Sequence, residues 1–406
     1  MIKKTTIAII LNLFAVFSVY AATDFDKGIE FEKKGDYDGA ISSYQKYLKI
    51  KPKDFNSYYS IGKIYYRKAD LDKALEFYQK ALKFNPKDPS LHYDTATVYF
   101  EQRKYDDAIA SYLSAIKVNP KNPNYHNDLA NAYSNQKKYD KAIESYKKAI
   151  ELLPTNHDFH YNLGNTYTDL KKYELAIESY KKTVILNPKD HEAFNQMGNA
   201  LSFLKKYEEG LEQYNNSIMV NPNYDLAYYN LGATYFDMKQ YEKSIESYKK
   251  ALEINPYYEG AYYNMGYVYD IMGKYDDAIE SYKKAIGIID YYPDSHFYLG
   301  KAYIVTKKYE ASISELKKVI DINPNFQEIQ YYLAQAYQGM KDYEKSLENY
   351  NIAIKLNPDN LDYLYSLASM YADSNEKNKS LEIYNKILDK SPDFKDVKNK
   401  IEILKK

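Results

Sequence analysis

The search for chemistry starts with histidine. His157 and His160 stand three residues apart, and His191 follows 34 residues after His157. Imidazoles at helical spacing can hold zinc. However, His92, His126, His160 and His296 fall in one register of a 34-residue period, in a slot that carries tyrosine or phenylalanine in other repeats, as at Tyr58, Phe194, Tyr228 and Tyr262. Packing accounts for that recurrence better than a metal does. Cysteine is absent, which removes thiolate metal sites, disulfides and thiol nucleophiles together, along with the residue a lipid anchor would need. The chain has no glycine-rich phosphate loop, nucleophile elbow or glutamate-bearing zinc motif. Paired carboxylates occur throughout, but only as repeated surface. The sequence therefore predicts no catalytic residue, no metal and no cofactor, and no enzymatic activity is expected.

What remains is recognition chemistry, and a ruler of prolines sets the elements that must position it. Pro52, Pro86, Pro120, Pro154, Pro188, Pro222 and Pro256 are 34 residues apart, as are Pro324, Pro358 and Pro392. At the one gap Asp290 takes the slot and the proline moves to Pro293. Self-similarity at a fixed period is the signature of a repeat array. Eleven repeats start near residues 21, 55, 89, 123, 157, 191, 225, 259, 293, 327 and 361. Position eight is always glycine or alanine, from Gly28 and Gly62 to Ala334 and Ala368, and position twenty is always small, from Ala40 to Ser380. Position eleven is aromatic in ten repeats, Leu201 being the exception, and position twenty-four is tyrosine in ten, with Leu316 the exception.

Apolar residues three and four apart mark two amphipathic helices in each repeat, such as 159–170 and 173–186 in repeat five. Small residues at positions eight and twenty allow the two helices to approach closely, and the aromatics fill the space beside that contact. Asn-Pro pairs (Asn85-Pro86, Asn187-Pro188, Asn255-Pro256) end the second helix, with asparagine expected in a left-handed cap. Pro89, Pro123 and Pro293 open the next helix, where a missing N–H costs nothing. Glu144–Lys148, Glu178–Lys182, Glu246–Lys250 and Glu280–Lys284 are candidate i,i+4 pairs on the outer face. In the tail 395–406, Val397, Ile401 and Leu404 form one apolar stripe.

These recurring positions resemble the tetratricopeptide repeat family over residues 21–394. The departures are tyrosine, histidine or phenylalanine at position four, where the family often has tryptophan, and less regular first and last repeats, as expected of caps. The resemblance implies an all-α, right-handed superhelical solenoid of about eleven helix-turn-helix repeats over residues 22–394, closed by a capping helix at 395–406. It also implies that the first helices line a concave groove, which the family uses to bind extended peptides or partner helices.

In that frame positions two, five, six, nine, twelve and thirteen face the groove. Position six supplies Asp94, Asp128, Asn162, Asn230 and Asn264, and position nine supplies Asn131, Asn165 and Asn199. A row of amides that both donate and accept can grip a peptide backbone without reading its sequence. Tyr93, Tyr161, Tyr229, Tyr263, Tyr267 and Tyr331 stand among them as rigid amphipathic contact area, with Phe297 and Tyr332 nearby. The whole chain is balanced at 56 basic and 56 acidic residues. Its groove positions are not: the first fourteen positions of repeats three to nine hold eleven acids against one lysine, Lys301. Some of these acids, including Asp158, Glu192 and Glu259, sit in a helix's first turn and complement its dipole. Asp94, Asp128, Asp169, Asp237 and Asp270 have no such explanation. An acidic groove favours a neutral or basic protein or peptide, and argues against nucleic acid and against a clamp for a partner's C-terminal carboxylate. Lys63, Arg67 and Lys68 make a small basic end in repeat two.

Residues 1–21 read as a secretory signal peptide: Lys3 and Lys4, an apolar run from Ile7 to Tyr20, and a cut after Ala21. The competing reading is an uncleaved inner-membrane anchor over residues 5–22. The sequence as a whole points to an exported scaffold, periplasmic or secreted, that binds a protein or peptide. The alternative is a carbohydrate-binding module of a cell-envelope or exopolysaccharide system, since tyrosine faces also stack on sugars. Repeat six stands apart, with Leu201, Gly210 and Asn215-Asn216 replacing the usual tyrosine, small residue and lysines; the array is expected to open first near residues 191–224.

Overall fold

The computed structural model of the chain describes residues 24–326 and 328–405; the signal expected at residues 1–21 lies outside them. The described residues form helices and turns, with no strand among them. None of the described helices is long and apolar enough to cross a membrane. Repeat five shows the pattern: a first helix His157–Asp169, a tight turn, and a second helix Tyr173–Leu186. The chain divides into two compact units, residues 1–204 and 205–406, between the two helices of repeat six. In repeats two to five and seven to eleven the first helix packs on the second helix of its own repeat, and within a unit each second helix packs on the first helix that follows.

A tyrosine laid against a glycine sets the distance between the paired helices. Tyr44, Tyr78, Tyr180, Tyr248 and Tyr282, all at position twenty-four, are almost completely buried. Each ring occupies the space a side chain at position eight would take. A Cβ added at Gly62 would lie 2.4 Å from the Tyr78 ring, and one at Gly164 would lie 2.6 Å from Tyr180. Where Leu316 replaces the tyrosine, it fills the same space over Gly300 at 2.8 Å. Position twenty completes the contact. Its alanines are fully buried, and its serines make a cross-helix bond that the sequence did not reveal: Ser244, Ser312, Ser346 and Ser380 each donate to the position-eight carbonyl at 2.7–2.9 Å.

The left-handed residue is not the asparagine after the second helix. Asn85 and Asn187 have φ of −135° and −132°. Their side chains instead fold forward: Asn187 Oδ1 accepts from the Lys189 N–H at 3.2 Å, and Asn255 does the same for Tyr257. Such an Asx turn satisfies the chain without a left-handed backbone. The left-handed residue sits at position fifteen, between the paired helices. Ala69, Arg103, Lys137, Lys171, Lys239, Lys307, Lys341 and Asn375 have φ of 57–64°, and Gly35 and Gly273 have 78° and 72°. In repeat five the Lys172 N–H reaches back to the Tyr167 carbonyl at 2.8 Å and that of Lys171 to Thr168 at 2.8 Å, the paired bonds of a Schellman cap.

The outer ion pairs also differ from the expected i,i+4 set. Glu280–Lys284 forms at 2.7 Å, but Lys148 turns to Glu151 at 2.9 Å and Lys250 to Glu253 at 2.7 Å. These groups are solvated, so the exchange of partner costs little.

Non-glycine residues in a left-handed conformation carry about 1 kcal/mol of strain. Lys171→Gly and Lys239→Gly are each expected to raise unfolding free energy by about 0.5–1 kcal/mol in urea titrations. Gly273→Ala, where nothing crowds the added methyl, is expected to lower it by about 1 kcal/mol from backbone strain alone.

Candidate functional site

In the first unit the face of the first helices is a ladder. Position five of one repeat bonds to position six of the next. Tyr59 donates to Asp94 Oδ2 at 2.6 Å, Tyr93 donates to Asp128, and Asn162 Nδ2 donates to Asn127 Oδ1 at 3.2 Å. A second rail joins positions twelve and thirteen: Tyr66 donates to Glu101, and Arg67 donates to Glu32 at 3.0 Å. Asn131 also donates to Asp128 at 3.2 Å while accepting the hydroxyl of the buried Tyr146. Asn165 accepts from Tyr180 at 2.8 Å, and Asn199 donates to Gln196 at 3.1 Å. Tyr161 reaches Glu192 at 3.3 Å, with its ring 5.9 Å from that of Tyr180.

The second unit repeats the register. Asn264 Nδ2 donates to Tyr229 Oη at 2.9 Å, Tyr331 and Ser366 share a hydrogen bond of 3.0 Å, and Gln338 donates to Asp373 at 2.7 Å. The rings stack as well: Tyr229 lies 4.7 Å from Tyr258, and Tyr331 lies 4.6 Å from Tyr363. Tyr298 stands edge-on to Tyr263 and Tyr267 at 5.9 Å and 5.2 Å. Asn230 lies half-buried on the same face as Tyr229.

The structure therefore brings the sequence-predicted residues together, one row within each unit, and gives them a task the sequence did not show. The amides and carboxylates are bonded to neighbours before any partner arrives, so each offers only its remaining valences. Tyr59, Tyr66, Glu101, Asn127 and Ser366 belong to the ladder and were not singled out from sequence. The signal was present as complementary residues 35 apart, visible only when position five is compared with position six of the following repeat.

The acids on these faces are costly. Burial pushes the carboxyls of Asp94, Asp128, Asp237, Glu259 and Asp270 above their usual range. In Asp94 and Asp128, tyrosine and asparagine donors pull back without cancelling it. Among the described residues none of the five has a basic nitrogen within the 4.0 Å of an ion pair. The lysines pair instead in turns and on second helices, as in Lys284–Glu280 and Lys345–Asp342.

The histidines act as loop clasps. His92 and His126 Nε2 lie 2.9 Å from the carbonyl oxygens of Pro86 and Pro120, His160 lies 3.3 Å from that of Pro154, and Tyr58 donates to Pro52 at 3.2 Å in the same way. In these repeats position four thus ties the first helix to the preceding loop. His296 is fully buried, with Nε2 2.8 Å from the Asp290 carbonyl oxygen and Nδ1 2.6 Å from Glu315. Among the described residues no three metal-ligating side chains stand together.

Models described as tetratricopeptide repeat match residues 157–190, 226–258 and 260–289, 93–157, 327–360 and 293–326. One described as TPR repeat matches residues 204–239, and one for anaphase-promoting complex, cyclosome, subunit 3 matches residues 33–115. No curated protein matches the chain. Among solved structures, MamA is 32% identical over 40% of this chain and 95% of its own, with a TM-score of 0.38. YrrB, described as a TPR protein with an unusual peptide-binding site, is 27% identical over 45% of this chain and 95% of its own, with a TM-score of 0.39. The C-terminal part of a TPR repeat-containing protein from Cytophaga hutchinsonii is 19% identical over 59% of this chain and 98% of its own, with a TM-score of 0.50, a likeness of fold.

The His296 clasp makes stability depend on pH. Burial lowers the imidazole's pKa, but Glu315 and the Asp290 carbonyl outweigh it and leave it above 6.5. Burial raises that of Glu315, and His296 with Lys318 outweighs it and leaves it below 4.5. The histidine's contribution is full below pH 6.5 and is lost as pH rises through its higher folded value. That of Glu315 is full above pH 4.5 and is lost as pH falls through its lower one. The pair is thus worth most between these limits. Urea midpoints measured from pH 5 to 9 are expected to fall on the alkaline side, and His296→Phe is expected to flatten that slope.

Proposed function

Because the chain belongs to the tetratricopeptide repeat family, we propose that it is an exported interaction scaffold whose first-helix faces bind a neutral or basic protein or peptide. One observation carries the reading: half-buried acids recur on these faces with no ion pair, Asp94 and Asp270 having only the more distant Lys63 and Lys301, while most paired lysines lie in turns and on second helices. Desolvating a carboxylate is unfavourable, and a protein that repeats this cost on one face recovers it when a positive partner arrives. The tyrosines among them supply apolar contact at low entropy cost. The ladder keeps the face rigid, so little ordering is needed on binding. Export rests on the sequence of residues 1–21. Catalysis has no support in any cluster described above.

Peptide and glycan arrays probed with the full chain test this reading. Basic and neutral peptides are expected to bind in a salt-sensitive manner, and acidic peptides and glycans are not. Asp94→Asn with Asp128→Asn keeps the shape of the ladder and removes its charge, and is expected to weaken peptide capture about tenfold, an effect of about 1.4 kcal/mol. Glycan binding without peptide binding would instead support the carbohydrate alternative.

A further inference from the structure

In repeat eight the buried tyrosine lacks the partner its counterparts have. Tyr44 donates to Glu32 at 3.2 Å, Tyr180 to Asn165 at 2.8 Å, and Tyr350 to Gln338 at 2.8 Å. Tyr282 is 0% exposed, yet its hydroxyl has no hydrogen-bond partner among the described residues. Position nine, the source of Asn165, is here Tyr267, and position twelve, the source of Glu32 and Gln338, is here Asp270. The Asp270 carboxylate is half-buried and makes neither hydrogen bond nor ion pair among the described residues; burial raises its pKa, and the nearby Lys301 ammonium offsets this only in part. Asp270 is also the nearby charge that acts most strongly on the Tyr282 hydroxyl. Two unsatisfied polar groups thus face one another's surroundings.

Rings complete the setting. Tyr298 lies 5.9 Å from Tyr263, 5.2 Å from Tyr267 and 6.1 Å from Tyr282. The Lys301 ammonium stands 5.0 Å from the centroid of Tyr298, so this surface already holds a cation on an aromatic face. A buried hydroxyl without a partner costs free energy, as does a desolvated carboxylate that no ion pair compensates. Carboxylate and ring quadrupole attract the same kind of group, a cation with N–H donors.

We infer that Asp270, Tyr282 and the rings of Tyr263, Tyr267 and Tyr298 form a subsite for a cationic side chain, an arginine or lysine of the partner. The planar guanidinium fits best: it donates to Asp270 and to the Tyr282 oxygen while its face lies on a ring. Lys301 is a resident competitor for the Tyr298 face. The inference takes its biological meaning from the partner-binding reading above, but the subsite itself is tested without a peptide.

Nα-acetyl-arginine methylamide is titrated into the full chain by saturation-transfer NMR, beside its neutral citrulline counterpart. Saturable binding of the arginine probe is expected, with citrulline about tenfold weaker. Asp270→Asn is expected to bring the arginine probe down to the citrulline level, and Lys301→Met to strengthen binding severalfold. Tyr282→Phe is expected to raise the melting temperature while weakening binding, whereas Tyr180→Phe, which strands Asn165, lowers the melting temperature. Absent binding, equal binding of arginine and citrulline, or binding unmoved by Asp270→Asn overturns the subsite. A loss of melting temperature for Tyr282→Phe matching that of Tyr180→Phe also overturns it, because the hydroxyl then has an internal partner. Failure of the single-residue probe leaves peptide capture through Asp94 and Asp128 standing, and failure of peptide capture there leaves the subsite standing.

Discussion

One contact governs the rest: the tyrosine at position twenty-four lying in the space that position eight leaves open. A Cβ at Gly164 would stand 2.6 Å from the Tyr180 ring, so the two helices of a repeat are as close as an aromatic ring allows. Four repeats carry alanine instead of glycine and still bury the tyrosine, as Ala130 does beside Tyr146, which is 2% exposed. Removing such a ring would cost about 3–5 kcal/mol. The hydroxyl makes the contact more than packing. In several repeats it passes between the helices and bonds to the first helix at position nine or twelve, as Tyr180 does with Asn165 and Tyr350 with Gln338. The same residue therefore holds the core and orients the polar face of the first helix.

Much of this was legible because periodicity reports packing directly. Small residues at eight and twenty, with aromatics at eleven and twenty-four, announced paired helices, and the described residues form them. What periodicity could not report was polar partnership. Ser244 and Ser380 counted as small residues, but each donates to a carbonyl across the helix pair. Asn187 was expected in a left-handed cap because asparagine tolerates one, yet it closes an Asx turn, and the lysine in the preceding turn carries the positive φ. A lysine in that conformation has no sequence signature, since the Schellman bonds and not the side chain impose it.

The polar first-helix face was legible in composition and misleading in availability. The sequence placed Asp94, Asp128, Asn131, Asn162 and Asn165 together, and they lie together. It treated them as open valences, whereas the structure spends part of each on neighbouring side chains. Charge thereby outweighs amide chemistry. A bonded amide has little left to offer, but a bonded carboxylate keeps its negative charge, and burial without a counter-ion makes that charge more effective.

The ladder also bears on how such a chain can change length. Every rung joins one repeat to the next and to no other, as in Tyr59–Asp94 and Tyr229–Asn264. Duplicating a 34-residue block inside either unit would create one new rung, between position five and position six of the same source repeat; for repeat three that pairs Tyr93 with Asp94, the same chemistry as the Tyr59–Asp94 rung. Duplicating such a repeat then needs no compensating substitution along the first-helix face, and the acidic surface lengthens with it. A lineage carrying this sequence could lengthen that face by copying DNA, with point mutation left to tune individual rungs.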